Sequence, residues 1–184
     1  MGQFFGYGSL VNRATHDYPG ARRARLAGWR RLWVHTPSRP VAFLSAEPAP
    51  GVVIEGLLAE VPGGDWAALD AREHAYARHP VRVETEAGPA EAQVYAVPHP
   101  ACAAPVAAHP VLLSYLDTVV QGFLREWGEA AVAGFFASTH GWNAPILDDR
   151  AAPLYPRAQP LSSAERALVD AQLSAVGAVV RRPA

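Results

Sequence analysis

The chain has 184 residues, half of them hydrophobic and 18% charged, which supports one sizeable core and excludes disorder as the default. Its net charge of −1 at pH 7 gives no electrostatic reason to expect a nucleic-acid or membrane partner. The N-terminal residues do not match a signal peptide, and no apolar run reaches the roughly 18 residues that span a bilayer, so we expect a cytoplasmic protein.

Short apolar runs separated by turn residues predict strands through the first half of the chain. The predicted strands cover residues 2–7, 24–35, 41–45, 51–61, 80–86 and 91–97. Five arginines fall within residues 22–31, interleaved with apolar residues, and we expect them on the solvated face of a strand pair. Residues 65–77 favour a helix that begins after Asp65 as its N-cap.

The second half of the chain changes to a helical period. Residues 111–138 favour one or two helices that break or bend at Gly128. A Pro-rich extended segment follows over residues 140–160. Ser162 and Glu165 match a capping box and start a C-terminal helix.

The sequence contains no internal repeat and no inter-domain linker. We therefore expect a single α+β domain over residues 1–184, in which a small mixed sheet, curled or barrel-like, packs against flanking helices. Residues 139–184 would form an extended tail and a helix that pack on this domain.

The first predicted strand ends in the turn Tyr7-Gly8-Ser9-Leu10, preceded by Gly6. Glycines at a strand end permit positive φ and let a ligand approach the backbone closely. Successive free N–H groups in such a turn can bind a carboxylate or a developing oxyanion. An ordinary turn that ends the strand, with Tyr7 packed in the core, would have the same sequence. A phosphate loop is excluded, because the chain lacks G-x-x-x-x-G-K-[ST] and contains no lysine.

Glu73 lies at the end of the predicted short helix, near the negative end of its dipole. That position and an apolar setting would raise the pKa of its carboxyl group, which suits a general base that later acts as an acid. A surface glutamate paired with Arg72 or Arg78 is the alternative. Asp70 comes one turn earlier and is expected to cap the helix or pair with an arginine.

The other chemistry-bearing residues form no recognisable group. Cys102 lies in a Pro/Ala-rich loop with no helix N-terminus to lower its pKa, and the seven histidines show no ligand spacing. Ser9 is not part of a G-x-S-x-G elbow. We therefore expect neither a metal ion nor a cofactor, and no enzyme nucleophile.

Three segments together resemble the γ-glutamylcyclotransferase-like family: FFGYGSL, LDAREHAYAR and SYLDTVVQGFLREWG. The third is similar to a family helix in which a glycine follows a tyrosine by seven residues, here Tyr115 and Gly122. The resemblance implies a small barrel-like mixed sheet with flanking helices. It also implies that the Tyr7-Gly8-Ser9-Leu10 loop cradles a γ-glutamyl group, that Glu73 is the acid/base, and that Tyr115 reaches over the substrate.

The implied reaction closes a γ-glutamyl group to 5-oxoproline and releases an amine or amino acid, as a carbon–nitrogen lyase does. Glutathione, γ-glutamyl amino acids and γ-glutamyl amines all remain candidate substrates. The tail from about residue 139 has no counterpart in compact family members, and it could cover the cleft or form a homodimer. Two alternatives stay open: a non-catalytic small-molecule binding module of the same fold, and an interaction domain that uses the tail as its surface.

Overall fold

The computed structural model describes residues 2–36, 40–98, 103–106 and 108–183. Cys102 lies outside these residues. None of the helices formed by the described residues is long and apolar enough to cross a membrane.

A closed, mixed, barrel-like sheet forms the centre of the fold, as predicted. Its strands are β1 (Gln3–Gly6), β2 (Arg22–Val34), β3 (Phe43–Glu60), β4 (Ala77–Thr85) and β5 (Gly88–Ala96). Their order is β3-β1-β5-β4-β2, and β2 pairs with β3 to close the sheet. Within this barrel the β1–β5 pair is parallel and the other pairs are antiparallel. The short strand β1 lies between the longer strands β3 and β5. The turn that follows β1 therefore starts in the interior of the sheet and not at its edge.

The two predicted strands at 41–45 and 51–61 are joined in the single strand β3, which corrects that expectation. The turn signal around Gly51 coincides with a register shift, at which Ala27 pairs with Val53 and Trp29 pairs with Pro48. A bulge of this kind bends a strand without ending it, so pairing with β2 continues on both sides.

Four helices flank the barrel, together with short two-residue strands. The helices are α1 (Trp66–Arg72), α2 (Leu113–Trp127), α3 (Glu129–Ser138) and α4 (Ser163–Ala175). The short strands are β6 (Val111–Leu112), β7 (Thr139–His140), β8 (Ile146–Leu147) and β9 (Val180–Arg181). Short 3-10 turns lie at Ser9–Val11, Arg13–Thr15 and Pro62–Gly64.

The helix boundaries agree with most of the sequence signals. Gly128 separates α2 from α3, and the capping box of Ser162 and Glu165 is formed at the start of α4. The side chain of Asp65 accepts from the Ala67 N–H at the start of α1. The helix predicted over 65–77 ends early, because the chain turns at Glu73 and starts β4 four residues later.

The bulge in β2 also reverses which residues of that strand face the core. Before it, Ala24 and Leu26 are buried; after it, Arg31 and Trp33 are buried. A one-residue irregularity moves side chains to the other face of a sheet. The expectation that all five arginines of this stretch face solvent is therefore wrong for Arg31, which is 1% exposed.

The buried guanidinium of Arg31 joins three parts of the fold. Its Nε donates to the Tyr7 carbonyl at 3.0 Å, its Nη2 donates to the Glu55 carbonyl, and its Nη1 donates to Ser138 Oγ at 3.2 Å. The rings of Phe123 and Phe135 lie 4.9 and 5.3 Å from the guanidinium carbon. Arg31 thus fixes the end of β1 relative to β3 and α3.

Replacing Arg31 by methionine should lower the free energy of unfolding by about 2–4 kcal/mol, because buried carbonyl acceptors lose their donor. Arg25→Met is the matched control, since Arg25 is exposed on the same strand, and it should change stability by less than about 0.5 kcal/mol. Urea unfolding of both variants measures the difference. Equal losses in the two variants would show that the Arg31 contacts contribute nothing to the fold.

Candidate active site

A narrow cavity of about 40 Å³ opens at the end of β1. All six residues selected from the sequence line it, namely Tyr7, Gly8, Ser9, Leu10, Glu73 and Tyr115. The rest of the wall comes from Phe5 and Gly6, which precede the turn, and from Leu44, Tyr76 and Tyr95, which the sequence did not point to. Residues far apart in the chain therefore meet in one place, at the end of the strand that carries the glycine-containing turn.

Position 8 requires glycine because the Tyr115 side chain approaches its backbone closely, and not because of a positive φ. Neither Gly6 nor Gly8 has a positive φ, so the expectation of a positive φ in this turn is wrong. A Cβ atom on Gly8 would lie 2.7 Å from the Tyr115 hydroxyl oxygen and 3.4 Å from Leu44 Cδ2. The tyrosine hydroxyl occupies the space that any larger residue at position 8 would need.

The turn after β1 leaves main-chain donors free. The N–H groups of Val11 and Asn12 donate back to the carbonyls of Gly8 and Ser9, at 2.9 and 3.0 Å. Within the described part of the chain, the N–H groups of Gly8 and Leu10 have no protein acceptor. Two donors from one rigid turn thus remain available at this cavity.

Helix α2 packs directly on the backbone of this turn. A Cβ atom on Gly122 would lie 2.7 Å from the Asn12 nitrogen, so only glycine allows the helix to come this close. The Asn12 side chain donates to the Thr118 carbonyl at 2.9 Å and to Gln121 Oε1 at 3.0 Å. These contacts fix the register of α2 and place Tyr115, two turns earlier, over Gly8.

Tyr115 presents its hydroxyl group to the turn. The backbone of Ser9 lies close enough to the Tyr115 hydroxyl to lower its pKa slightly, an effect smaller than those that raise it. Burial raises the pKa of Tyr115 well above its usual value, with smaller contributions from nearby Tyr155, Tyr7 and Glu73. The group therefore stays protonated, and able to donate, at neutral pH.

Glu73 caps the C-terminus of α1, where its own N–H donates to the Leu69 carbonyl. Its side chain is 17% exposed and forms an ion pair with Arg72, with Glu73 Oε1 and Arg72 Nε 3.2 Å apart. Burial raises the pKa of Glu73, and this effect outweighs the opposing charges of Arg72 and Arg157. Desolvation is thus the main cause of the shift expected from the sequence.

The hydroxyl groups of two other cavity residues, Tyr7 and Tyr95, donate hydrogen bonds to acceptors in the protein. The Tyr7 hydroxyl donates to the Tyr95 carbonyl at 2.6 Å, and burial raises the pKa of Tyr7. Asp70 accepts from the Tyr95 hydroxyl at 2.6 Å and pairs with Arg78 at 3.0 Å. The expectation that Asp70 pairs with an arginine is confirmed, and Glu73 is left as the carboxyl group that lines the cavity.

A larger chamber of about 490 Å³ adjoins the narrow cavity and shares five of its residues with it. The shared residues are Ser9, Leu44, Glu73, Tyr76 and Tyr115. Part of its wall comes from residues 154–157 of the Pro-rich segment. Asp149 holds this wall in place, because its carboxylate accepts from the N–H groups of both Ser114 and Leu154.

Two further features bear on where ligands could bind. An open depression of about 790 Å³ lies against residues 147–154 and Arg166, and none of the sequence-selected residues lines it. In the part of the chain that the structure describes, no three His, Cys, Asp or Glu side chains are grouped closely enough to hold a metal ion. The narrow cavity and its chamber are therefore the candidate active site.

Gly8→Ala should cost about 1–3 kcal/mol of folding stability, because the added methyl group meets the Tyr115 hydroxyl. Removing that hydroxyl with Tyr115→Phe should reduce the cost, giving a coupling energy of at least about 0.5 kcal/mol in a urea-unfolding double-mutant cycle.

Gly134→Ala is the control for this cycle, since a Cβ atom there meets nothing within 4 Å. Its effect on stability should be the same with and without the Tyr115 hydroxyl. If the cost of Gly8→Ala were equally independent of that hydroxyl, the close approach would not be the reason for glycine at position 8.

Comparisons with known proteins identify the family and the fold. The family described as gamma-glutamyl cyclotransferase, AIG2-like, matches residues 4–114, whereas no curated protein matches the chain. A solved gamma-glutamyl cyclotransferase is 16% identical, with 92% of this chain and 98% of that chain covered and a TM-score of 0.60.

Two further solved structures share the fold. An uncharacterized Homo sapiens protein is 16% identical, with 91% of this chain and 97% of that chain covered and a TM-score of 0.59. A yeast gamma-glutamyl cyclotransferase specific to glutathione is 15% identical, with 95% and 96% covered and a TM-score of 0.50. These structures show a shared fold, and the match over residues 4–114 shows that this chain belongs to the AIG2-like gamma-glutamyl cyclotransferase family.

Proposed function

We propose that the protein is a γ-glutamylcyclotransferase that closes a γ-glutamyl group to 5-oxoproline and releases an amine or amino acid. One observation carries the proposal: Glu73, with its raised pKa, lines the same narrow cavity as the free N–H groups of Gly8 and Leu10. An acid/base and an oxyanion site are the two parts that this reaction needs.

The first step is removal of a proton from the substrate. The α-amino group of a γ-glutamyl unit is protonated near neutral pH and cannot attack its own γ-carbonyl carbon in that form. The Glu73 carboxylate takes this proton, and a base with a raised pKa is better matched to an ammonium group than an ordinary carboxylate. The free amine then attacks and closes a five-membered ring.

The second step stabilises the tetrahedral intermediate. Negative charge develops on the γ-carbonyl oxygen, and the N–H groups of Gly8 and Leu10 donate to it. One donor of this kind contributes about 2.7–4 kcal/mol where it has been measured in other enzymes. The donors are already positioned because contacts from Arg31 and from α2 both fix the turn. Tyr115, as a protonated hydroxyl over Gly8, adds a further donor.

The last step breaks the bond between the γ-carbon and the leaving nitrogen. The leaving nitrogen takes the electron pair of that bond and receives from Glu73 the proton that was accepted at the start. The ring nitrogen, which still carries two protons after the attack, loses one of them to the released amine, which departs as an ammonium group. The substrate supplies its own nucleophile, so the scheme requires no covalent enzyme intermediate. The narrow cavity and the adjoining chamber together hold the flexible glutamyl chain in its ring-closing conformation, which lowers the entropic part of the barrier.

A non-catalytic binding module of the same fold is the alternative. It would keep the cradle for a γ-glutamyl group but would release no 5-oxoproline. The presence of a buried carboxyl group with a raised pKa favours the enzyme, because binding alone gives no reason to place Glu73 there.

Glu73→Gln should lower kcat for 5-oxoproline release by at least about 10²-fold, because the amide is similar in shape but cannot exchange a proton. Glu86→Gln, at an exposed position in the β4–β5 turn, should leave kcat unchanged. Chromatographic assay of 5-oxoproline from a γ-glutamyl amino acid measures both. Unchanged kcat in the Glu73 variant would remove this residue from the mechanism.

The folding stability of the same variant follows from the direction of the pKa shift. A carboxyl group whose pKa is raised in the fold stabilises the protein below its unfolded value, and this contribution is lost as pH rises through the folded value. At neutral pH Glu73→Gln should therefore unfold no more easily than the native protein. A markedly lower melting temperature there would show that the ionised Glu73 supports the fold.

The pH profile of kcat/KM should fall on the acid side with a midpoint above 4.5, the ordinary pKa of a glutamate. The midpoint lies higher because Glu73 must be ionised in the free enzyme to accept the proton, and burial raises the pH at which it ionises. Initial rates measured across the acid range test this. A midpoint at or below 4.5 would contradict a desolvated base.

A further inference from the structure

The chamber beside the narrow cavity has an excess of positive charge. Among the described residues that line it, the charged ones are Arg72, Arg157 and Glu73. Two guanidinium groups therefore face one carboxylate, even when Glu73 is fully ionised. A ligand part that enters this chamber is favoured electrostatically if it carries a negative charge.

Arg72 is largely engaged by the protein. Its Nε pairs with Glu73 at 3.2 Å, its Nη1 donates to the Thr15 carbonyl at 3.2 Å, and its side chain is 10% exposed. Its Nη2 is buried and has no hydrogen-bond partner among the described residues. Arg72 thus adds positive potential to the chamber but holds a fixed position beside Glu73.

Arg157 differs from Arg72 because it is exposed and its guanidinium forms no ion pair or hydrogen bond with the described part of the chain. It lies close enough to Glu73 to oppose the rise in the pKa of that carboxyl group. It belongs to the Pro-rich segment, well beyond the family match at residues 4–114. A free guanidinium is suited to bind a carboxylate through two parallel hydrogen bonds.

The rest of the chamber wall is mostly apolar. Val41, Phe43, Leu112 and Leu154 contribute to it, and its volume of about 490 Å³ has room for an aliphatic side chain. The chamber begins at Glu73, where the leaving nitrogen of the proposed reaction must receive its proton. The leaving group therefore meets an apolar wall and a free guanidinium together.

We propose that the leaving group of the substrate is an apolar amino acid whose carboxylate is bound by Arg157, and that uncharged γ-glutamyl amines are poor substrates. This inference rests on the proposed cyclotransferase function. The tail segment at 154–157 would thus select the substrate, whereas the barrel and α2 would carry out the ring closure.

Two compounds that differ by a single carboxylate test the inference. One is γ-glutamyl-leucine, and the other is γ-glutamyl-3-methylbutylamine, which is the same molecule without the carboxylate of the leucine part. The native protein should turn over γ-glutamyl-leucine with a kcat/KM about tenfold higher or more, the effect of one hydrogen-bonded charge pair. The preference should shrink with added salt, because Arg157 is exposed.

Arg157→Gln should reduce this preference to about threefold or less, chiefly through a higher KM for γ-glutamyl-leucine. Arg82→Gln is the matched control, since Arg82 is exposed on β4 and lines neither cavity, and it should keep the full preference. The ratio of kcat/KM for the two compounds within each variant reports binding of the carboxylate alone. Any effect of Arg157 on Glu73 would change kcat/KM of both compounds by the same factor and leave the ratio unchanged.

Three outcomes overturn the inference. Equal kcat/KM for the two compounds in the native protein would show that the carboxylate is not recognised. An equal fall for both compounds in Arg157→Gln would show that Arg157 acts on Glu73 or on the γ-glutamyl unit. Release of 5-oxoproline from glutathione but from neither compound would overturn the inference and leave the proposed function standing, whereas release from none of the three would contradict both.

Discussion

The buried guanidinium of Arg31 is the interaction on which the position of the site depends. It donates to the Tyr7 carbonyl at the start of the turn after β1, to the Glu55 carbonyl in β3 and to Ser138 at the end of α3. Desolvation lowers the pKa of Arg31 to about 9, which still leaves it charged at neutral pH. A buried charge of this kind is stable only while its acceptors stay in place, so it resists any movement of the turn.

The second constraint on the turn comes from helix α2. Because Gly122 has no side chain, α2 lies against the backbone at Asn12, and Tyr115 reaches into the space above Gly8. Gly8 and Gly122, from distant parts of the chain, therefore both allow the close packing that brings main-chain donors and the Tyr115 hydroxyl to one cavity. Glu73 completes that cavity because it caps the C-terminus of α1 at the cavity wall.

Much of this could be predicted from the sequence, because the signals are local. The turn after β1, the start of α1 at Asp65 and the break at Gly128 each depend on a few neighbouring residues. The burial of Arg31 could not be predicted, because a bulge in β2 reverses the alternation of its side chains, and nothing in the local sequence fixes the register at which β3 pairs with it. Arg157 was missed for a different reason. A Pro-rich extended segment has no periodicity, so the sequence does not show which surface it covers.

The central claim is that a γ-glutamyl unit binds with its amine at Glu73 and its γ-carbonyl oxygen at the free N–H groups of Gly8 and Leu10. A crystal structure of the Glu73→Gln variant with intact γ-glutamyl-leucine tests this most directly. The account predicts the α-amino nitrogen within roughly 2.6–3.2 Å of the substituted side chain and the carbonyl oxygen at the turn. A ligand bound in the depression beside Arg166, or bound in the cavity with its amine facing away from position 73, would contradict it.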